Sequence, residues 1–195
     1  MTPPPKEYLY DRGRRLAEEF CEKNSLTCPE IVAAAPEWWN VSACAYYRPE
    51  TINICINECA PVGLGGPAWS WPGYVIDRTP YGVIAHELGH HIDWLTGTDK
   101  GAYWSDFSIK LRAETKEEKI TNYCPNDAEW FAEIFRLFIT NPDLLREIRP
   151  KTYAALVAEG FTPVVNETWD DVLWNAPERT RAQAQKKIDS AFRLI

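Results

Sequence analysis

The stretch Thr79-Pro80-Tyr81-Gly82-Val83-Ile84-Ala85-His86-Glu87-Leu88-Gly89-His90-His91-Ile92-Asp93 decides how the chain reads. Thr79 is a good N-cap, and Pro80 suits the first turn of a helix. Val83, Ile84, Leu88, Ile92 and Leu95 then recur at the spacing of one buried helical face, and Gly97 is placed to end it. The chain has three histidines, and all of them fall between His86 and His91. On a helix, residues four apart stand one turn above the other on one face. His86 and His90 therefore present two imidazole nitrogens to a single ion.

Glu87 follows the first imidazole, so its carboxylate can reach a water on the same ion. This is the H-E-x-x-H pattern of zinc peptidases, in the capped-helix context it requires. The expected cofactor is Zn2+. Zinc brings the pKa of a bound water down to about 7, and Glu87 takes its proton during attack and hands it to the leaving amine. Gly89 is read as leaving room between the ligands for substrate or a neighbouring strand. Asp93, on the same face, is either a partner for an imidazole N–H or a solvated acid. His91 points off the metal face and reads as a packing or surface residue.

A catalytic zinc usually has three protein ligands and one open position. No fourth histidine exists, so the third ligand is an acid or a cysteine. Glu129 and Glu133 lie one turn apart on an otherwise apolar helix, Asp127 to about Thr140, where carboxylates are costly to bury without a partner. Asn126 and Glu129 also have capping-box spacing, which offers Glu129 a purely structural duty. The reading prefers Glu129 as the ligand, with Glu133 supporting a ligand histidine.

The rest of the chain reads as strands early and helices late, one domain over 1–195. Residues to about 79 form a strand- and loop-containing part, and residues from about 80 a helical part with the zinc site. Glu7 to Lys23 is amphipathic. Ala45-Tyr46-Tyr47, a turn at Arg48-Pro49-Glu50, and Thr51–Ile56 form a β-hairpin with Ile52, Ile54 and Ile56 on one face. Residues 60–80, rich in Gly and Pro with Trp69 and Trp71 between them, are a loop: a substrate wall or lid, or only a connection. Further helices are expected over Ser105–Lys119, Asp143–Ile148, Lys151–Glu159 and Arg179–Leu194.

Composition narrows the function classes. The formal charge is −7, from 28 acids and 21 bases, and no Lys/Arg run is present, which argues against a nucleic-acid partner. No stretch reaches the apolar length of a membrane span. Met1–Lys6 lacks the apolar core of a secretory signal, so the expected compartment is the cytoplasm unless a leader was removed or export follows another route. The six cysteines are then reduced thiols or part of a small structural metal site, in which Cys55 and Cys59 would join Cys44 or Cys124.

His86-Glu87-Leu88-Gly89-His90, then Thr121-Asn122-Tyr123, then Asn126-Asp127-Ala128-Glu129-Trp130-Phe131-Ala132-Glu133-Ile134-Phe135-Arg136-Leu137 resembles the catalytic domain of anthrax-toxin lethal factor and its bacterial relatives, including secreted proline-specific endopeptidases. The likeness covers roughly residues 80–155. It implies an α+β, zincin-like (gluzincin) metallopeptidase fold: a small twisted sheet, the motif helix and a helical C-terminal part. It implies Glu129 as third zinc ligand, and Tyr123 as the tyrosine whose hydroxyl helps stabilise the oxyanion. It also implies an edge strand that pairs with extended substrate, for which Thr51–Ile56 is the candidate. The expected activity is zinc-dependent endopeptidase hydrolysis of a protein or peptide substrate. Alternatives are a small intracellular regulatory peptidase of the phage-repressor-cleaving type and a non-catalytic zinc-stabilised binding module.

Overall fold

The structure, a computed structural model, describes residues 4–33, 45–63, 70–101 and 104–164. The expected Arg179–Leu194 helix, Cys44 and Trp69 lie outside them. Among the described residues the chain is α+β, with six helices and one three-stranded sheet.

Helix α1 (Lys6–Lys23) buries Leu9, Leu16, Ala17, Phe20 and Cys21 on one stripe, as the helical spacing of its apolar residues requires. Strand β1 (Glu30–Val32) follows, then the hairpin of β2 (Ala45–Arg48) and β3 (Thr51–Ile54), turned through Pro49 and Glu50, the latter at φ 76°. β2 and β3 pair antiparallel with Tyr47 opposite Ile52. β1 adds to the far side of β3 in parallel, giving the order β1-β3-β2. Ile52 and Ile54 alternate onto the buried face. The strand stops at Ile54, so Ile56 falls in the turn beyond it. The order also corrects an expectation. Thr51–Ile54 is the central strand, with both backbone edges spent on neighbours. β2 stands at the edge among the described residues.

Helix α2 (Pro80–Thr96) carries the histidines. Thr79, in extended conformation, accepts a hydrogen bond from the Gly82 N–H, and Pro80 fills the first turn. The helix is buried from Pro80 to Asp93, because α1, the sheet and helices α3 (Asp106–Thr115) and α4 (Asp127–Thr140) all pack on it. A helix covered on every side needs apolar residues all round except where polar groups are paired. Gly97 ends α2 without a left-handed turn (φ −70°). Its lack of a side chain serves packing instead, since a Cβ there would stand 2.0 Å from Ser105 Oγ. α3 begins at its cap Ser105 and stops at Lys116, which turns left-handed at φ 55°, short of the expected end at Lys119.

Asn126 caps α4, its side-chain oxygen 2.9 Å from the Glu129 N–H. Trp130, Phe131, Ile134, Phe135 and Phe138 of α4 are fully buried; each such side chain is worth about 1.5–3 kcal/mol in surface taken from water. The crossing of α2 and α4 is set by Gly89. A Cβ there would lie 2.8 Å from Ala132 Cα and 3.2 Å from its carbonyl oxygen. The space expected for substrate is therefore filled by the backbone of α4. Two short helices, α5 (Pro142–Ile148) and α6 (Pro150–Ala158), each opened by a proline, follow. No helix among the described residues is long and apolar enough to cross a membrane.

Candidate metal centre

The close approach at Gly89 puts one face of α4 against the histidine face of α2. The His86 and His90 rings stand 4.9 Å apart, nearly perpendicular. Across from them, Glu129 Oε2 is 3.1 Å from His86 Nε2, and its Oε1 is 3.6 Å from His90 Nε2. Among the described residues, these three are the one His/Cys/Asp/Glu group with donor atoms close enough to share a metal ion.

One turn further along α4, Glu133 Oε1 lies 2.9 Å from His86 Nδ1. Arg136, wholly buried, contacts both oxygens of Glu133 at 3.2 and 3.0 Å. Its remaining donors bond the carbonyls of Tyr74 at 2.6 Å and Val75 at 2.7 Å. Burial alone would push Glu133 up, but Arg136 and then His86 hold its carboxyl well below the usual range. An ionised carboxylate accepts only, so His86 Nδ1 carries a proton toward Glu133.

That assignment fixes the rest of the ring. In neutral His86 the Nε2 is then a lone pair, and it faces an oxygen of Glu129 that is also an acceptor. Glu129 itself is held below the usual carboxylate range by the two imidazoles, against its burial. Two acceptors 3.1 Å apart require a cation between them: a proton or a metal ion. Without a metal the proton takes the place, and the His86 pKa is pushed to about 10 by Glu129 and Glu133 although burial opposes it. His90 reaches Glu129 through Nε2, and its Nδ1 is buried with no hydrogen-bond partner among the described residues.

The donor set fits a divalent ion. Two donors about 2.05 Å from a tetrahedral ion stand about 3.3 Å apart, and the observed separations of 3.1 and 3.6 Å bracket that value. A group of two imidazoles and one carboxylate could hold zinc or another borderline divalent ion.

Glu87 is buried beside this cluster, and burial pushes its carboxyl up while His90 and His86 draw it down. The backbone of Tyr47 on β2 also helps stabilise its charged form. Tyr123 presents a half-exposed ring whose centroid is 5.8 Å from that of His86. The sequence-predicted His86, Glu87, His90, Tyr123, Glu129 and Glu133 thus gather in one place.

Other expectations resolve differently. Asp93 is neither solvated nor bonded to an imidazole. Its carboxylate is fully buried and takes hydrogen bonds from the N–H and Oγ of both Ser105 and Ser108. His91 is a packing residue, 1% exposed, bonded to Tyr47 and Thr27. Residues 70–75 are buried and serve Arg136 with two carbonyls, so this half of the 60–80 loop is a structural connection; residues 64–69 lie outside the described set. Trp71 is core, Trp94 carries Lys100 over its ring, and Trp104 is exposed. None of Cys21, Cys28, Cys55, Cys59 and Cys124 is in a disulfide.

Sequence reasoning missed Arg136 and Tyr47. A signal existed for the first: an arginine three residues after Glu133, on a helix otherwise apolar, is an i,i+3 partner. Nothing local tied Tyr47 to Glu87. Comparisons of the chain with family models, curated proteins and solved structures found no match.

Proposed function

We propose that this chain is a zinc-dependent endopeptidase of zincin-like, gluzincin fold, acting on an extended protein segment. The reading rests on one observation: His86, His90 and Glu129 bring donor atoms close enough to share one metal ion, with the buried acid Glu87 beside them. The resemblance of the two helical motifs to lethal-factor-type peptidases supports it. His86 Nε2, His90 Nε2 and a Glu129 oxygen hold the metal, and Glu133 orients His86. Zinc, when bound, supplies a Lewis acid that brings the acidity of water into the neutral range.

Glu87 accepts the proton of the attacking water and returns it to the leaving amine. Tyr123 Oη donates to the oxyanion as it develops. The edge strand β2 offers backbone groups for pairing with an extended substrate.

Cleavage-site profiling of a proteome-derived peptide library tests this, using zinc-loaded protein beside Glu87→Gln. The expected result is specific cleavage that falls by more than about a hundredfold in the variant, with zinc content and folding kept. Tight zinc binding with no cleavage by the unaltered protein would favour a metal-stabilised binding module. Equal cleavage by the variant would remove Glu87 from the chemistry.

A further inference from the structure

The third histidine of the cluster does something the metal does not need directly. His91 Nε2 lies 2.8 Å from the carbonyl oxygen of Thr27. A carbonyl can only accept, so Nε2 carries the hydrogen and Nδ1 is the lone-pair nitrogen. Tyr47 Oη sits 3.1 Å from that Nδ1 and donates to it. Both ring nitrogens are spent in one fixed tautomer, and His91 ties α2 to β2 on one side and to the segment before β1 on the other.

Tyr47 is where this brace meets the candidate centre. Its ring lies nearly parallel to His90, 22° between planes and 6.4 Å between centroids. It also meets His91 edge-on at 5.7 Å. Tyr47 is 4% exposed and part of the buried core, so packing confines its ring and the His91 bond sets where its hydroxyl points. The backbone of the same residue helps stabilise the charged form of Glu87, and β2 packs on α2. One strand residue therefore faces a candidate metal-binding imidazole with its ring and lies beside the acid with its main chain, and its hydroxyl is held by a histidine that does neither.

We infer that Tyr47 and His91 form a positioning pair, which fixes the Glu87 carboxylate and the plane of the His90 ring by locking β2 onto α2. The proposal rests on the peptidase reading for Glu87, and on the metal centre alone for His90. A packing residue would show itself only in stability. A positioning pair shows itself in the geometry of the metal and in turnover.

The test compares the full chain with Tyr47→Phe, which keeps the ring and removes the hydroxyl, with His91→Leu, and with the double variant. Two readouts are used: the visible absorption of the cobalt(II)-loaded protein, and kcat and KM of the zinc-loaded protein on a peptide it cleaves in the library. Tyr47→Phe is expected to alter the cobalt spectrum and lower kcat about tenfold, with KM within about twofold and a melting temperature lowered by only a few degrees, because the buried His91 Nδ1 loses its donor. The double variant is expected to lose no more than the worse single variant, because both singles break the Tyr47–His91 bond and His91→Leu alone already breaks the Thr27 bond too. Should His91→Leu fail to fold, Tyr47→Phe still decides. A Tyr47→Phe protein with unchanged cobalt spectrum and unchanged kcat overturns the proposal, as does a loss explained entirely by unfolded or metal-free protein. If the unaltered chain binds cobalt but cleaves nothing, the peptidase reading falls, and the cobalt spectrum alone decides whether the pair orients His90.

Discussion

Asp93, wholly buried, and Glu129, part-buried, are both acids beside helix α2, and they are handled in opposite ways. Asp93, a turn past His90, is well satisfied: both its oxygens face neutral donors, the N–H groups and hydroxyls of Ser105 and Ser108. Glu129 faces two imidazole nitrogens, at 3.1 and 3.6 Å, and its neighbour Glu133 already claims the proton of His86. A buried carboxylate surrounded by neutral donors is finished structure. A part-buried carboxylate aimed at the lone pair of His86 Nε2 is completed only by a cation between them, a proton or a metal ion. The spacing of acids along a helix does not separate the two cases; the partner arriving from elsewhere does.

The largest effect expected from this contrast is on metal affinity. Glu129→Gln removes the charge and replaces one oxygen by a donor. Zinc affinity, measured by chelator competition, is expected to fall beyond the roughly 10–100-fold typical of losing a supporting partner. The apo fold is expected to persist. Asp93→Asn reverses the pattern. An amide NH2 is forced against serine donors, leaving buried groups unpaired at a cost of about 1–3 kcal/mol in urea denaturation. Zinc affinity is expected to stay within about threefold. If instead Asp93→Asn weakened zinc as much as Glu129→Gln, the division of labour between the two acids would be wrong.

A smaller effect concerns Asp77, which sharpens the well-satisfied class. It accepts from Gly73 N–H, Thr79 N–H and Thr79 Oγ1, yet burial raises its pKa to about 6 despite the pull of Arg136. A carboxyl raised on folding holds its proton more tightly in the native state. Its contribution to stability is full below the ordinary value near ~4 and is lost as pH rises through about 6. Relative to Asp77→Asn, the unaltered protein should lose about 1–1.5 kcal/mol between pH 5 and 7. A pH-independent difference would mean that Asp77 is ionised throughout.

Much of this was legible in the residues. Thr79-Pro80 announced the start of α2 and Asn126 that of α4, because caps and prolines act locally. The His86/His90 spacing and the costly acids on α4 announced the metal face. What failed to show depended on neighbours distant in sequence. Asp93 had the right face for a histidine, but α3 brought two serines to it. Gly89 was expected to make room for substrate or a neighbouring strand, and the room is taken by the backbone of α4 at Ala132. The hairpin was plain from alternation, yet which strand lies at the edge depended on β1 pairing in parallel with β3, and a three-residue strand carries almost no pattern. Arg136 needed only the i,i+3 rule to be seen beside Glu133, but its bonds to Tyr74 and Val75 lay in a loop whose path the sequence did not reveal.

Anomalous diffraction at the zinc edge from crystals of the zinc-loaded protein tests the central claim most directly. The account predicts one strong peak about 2.0–2.2 Å from His86 Nε2, His90 Nε2 and a Glu129 oxygen, with His86 Nδ1 still bonded to Glu133. Zinc-loaded crystals with no peak between these residues, and Glu129 still hydrogen-bonded to a protonated His86, would contradict it.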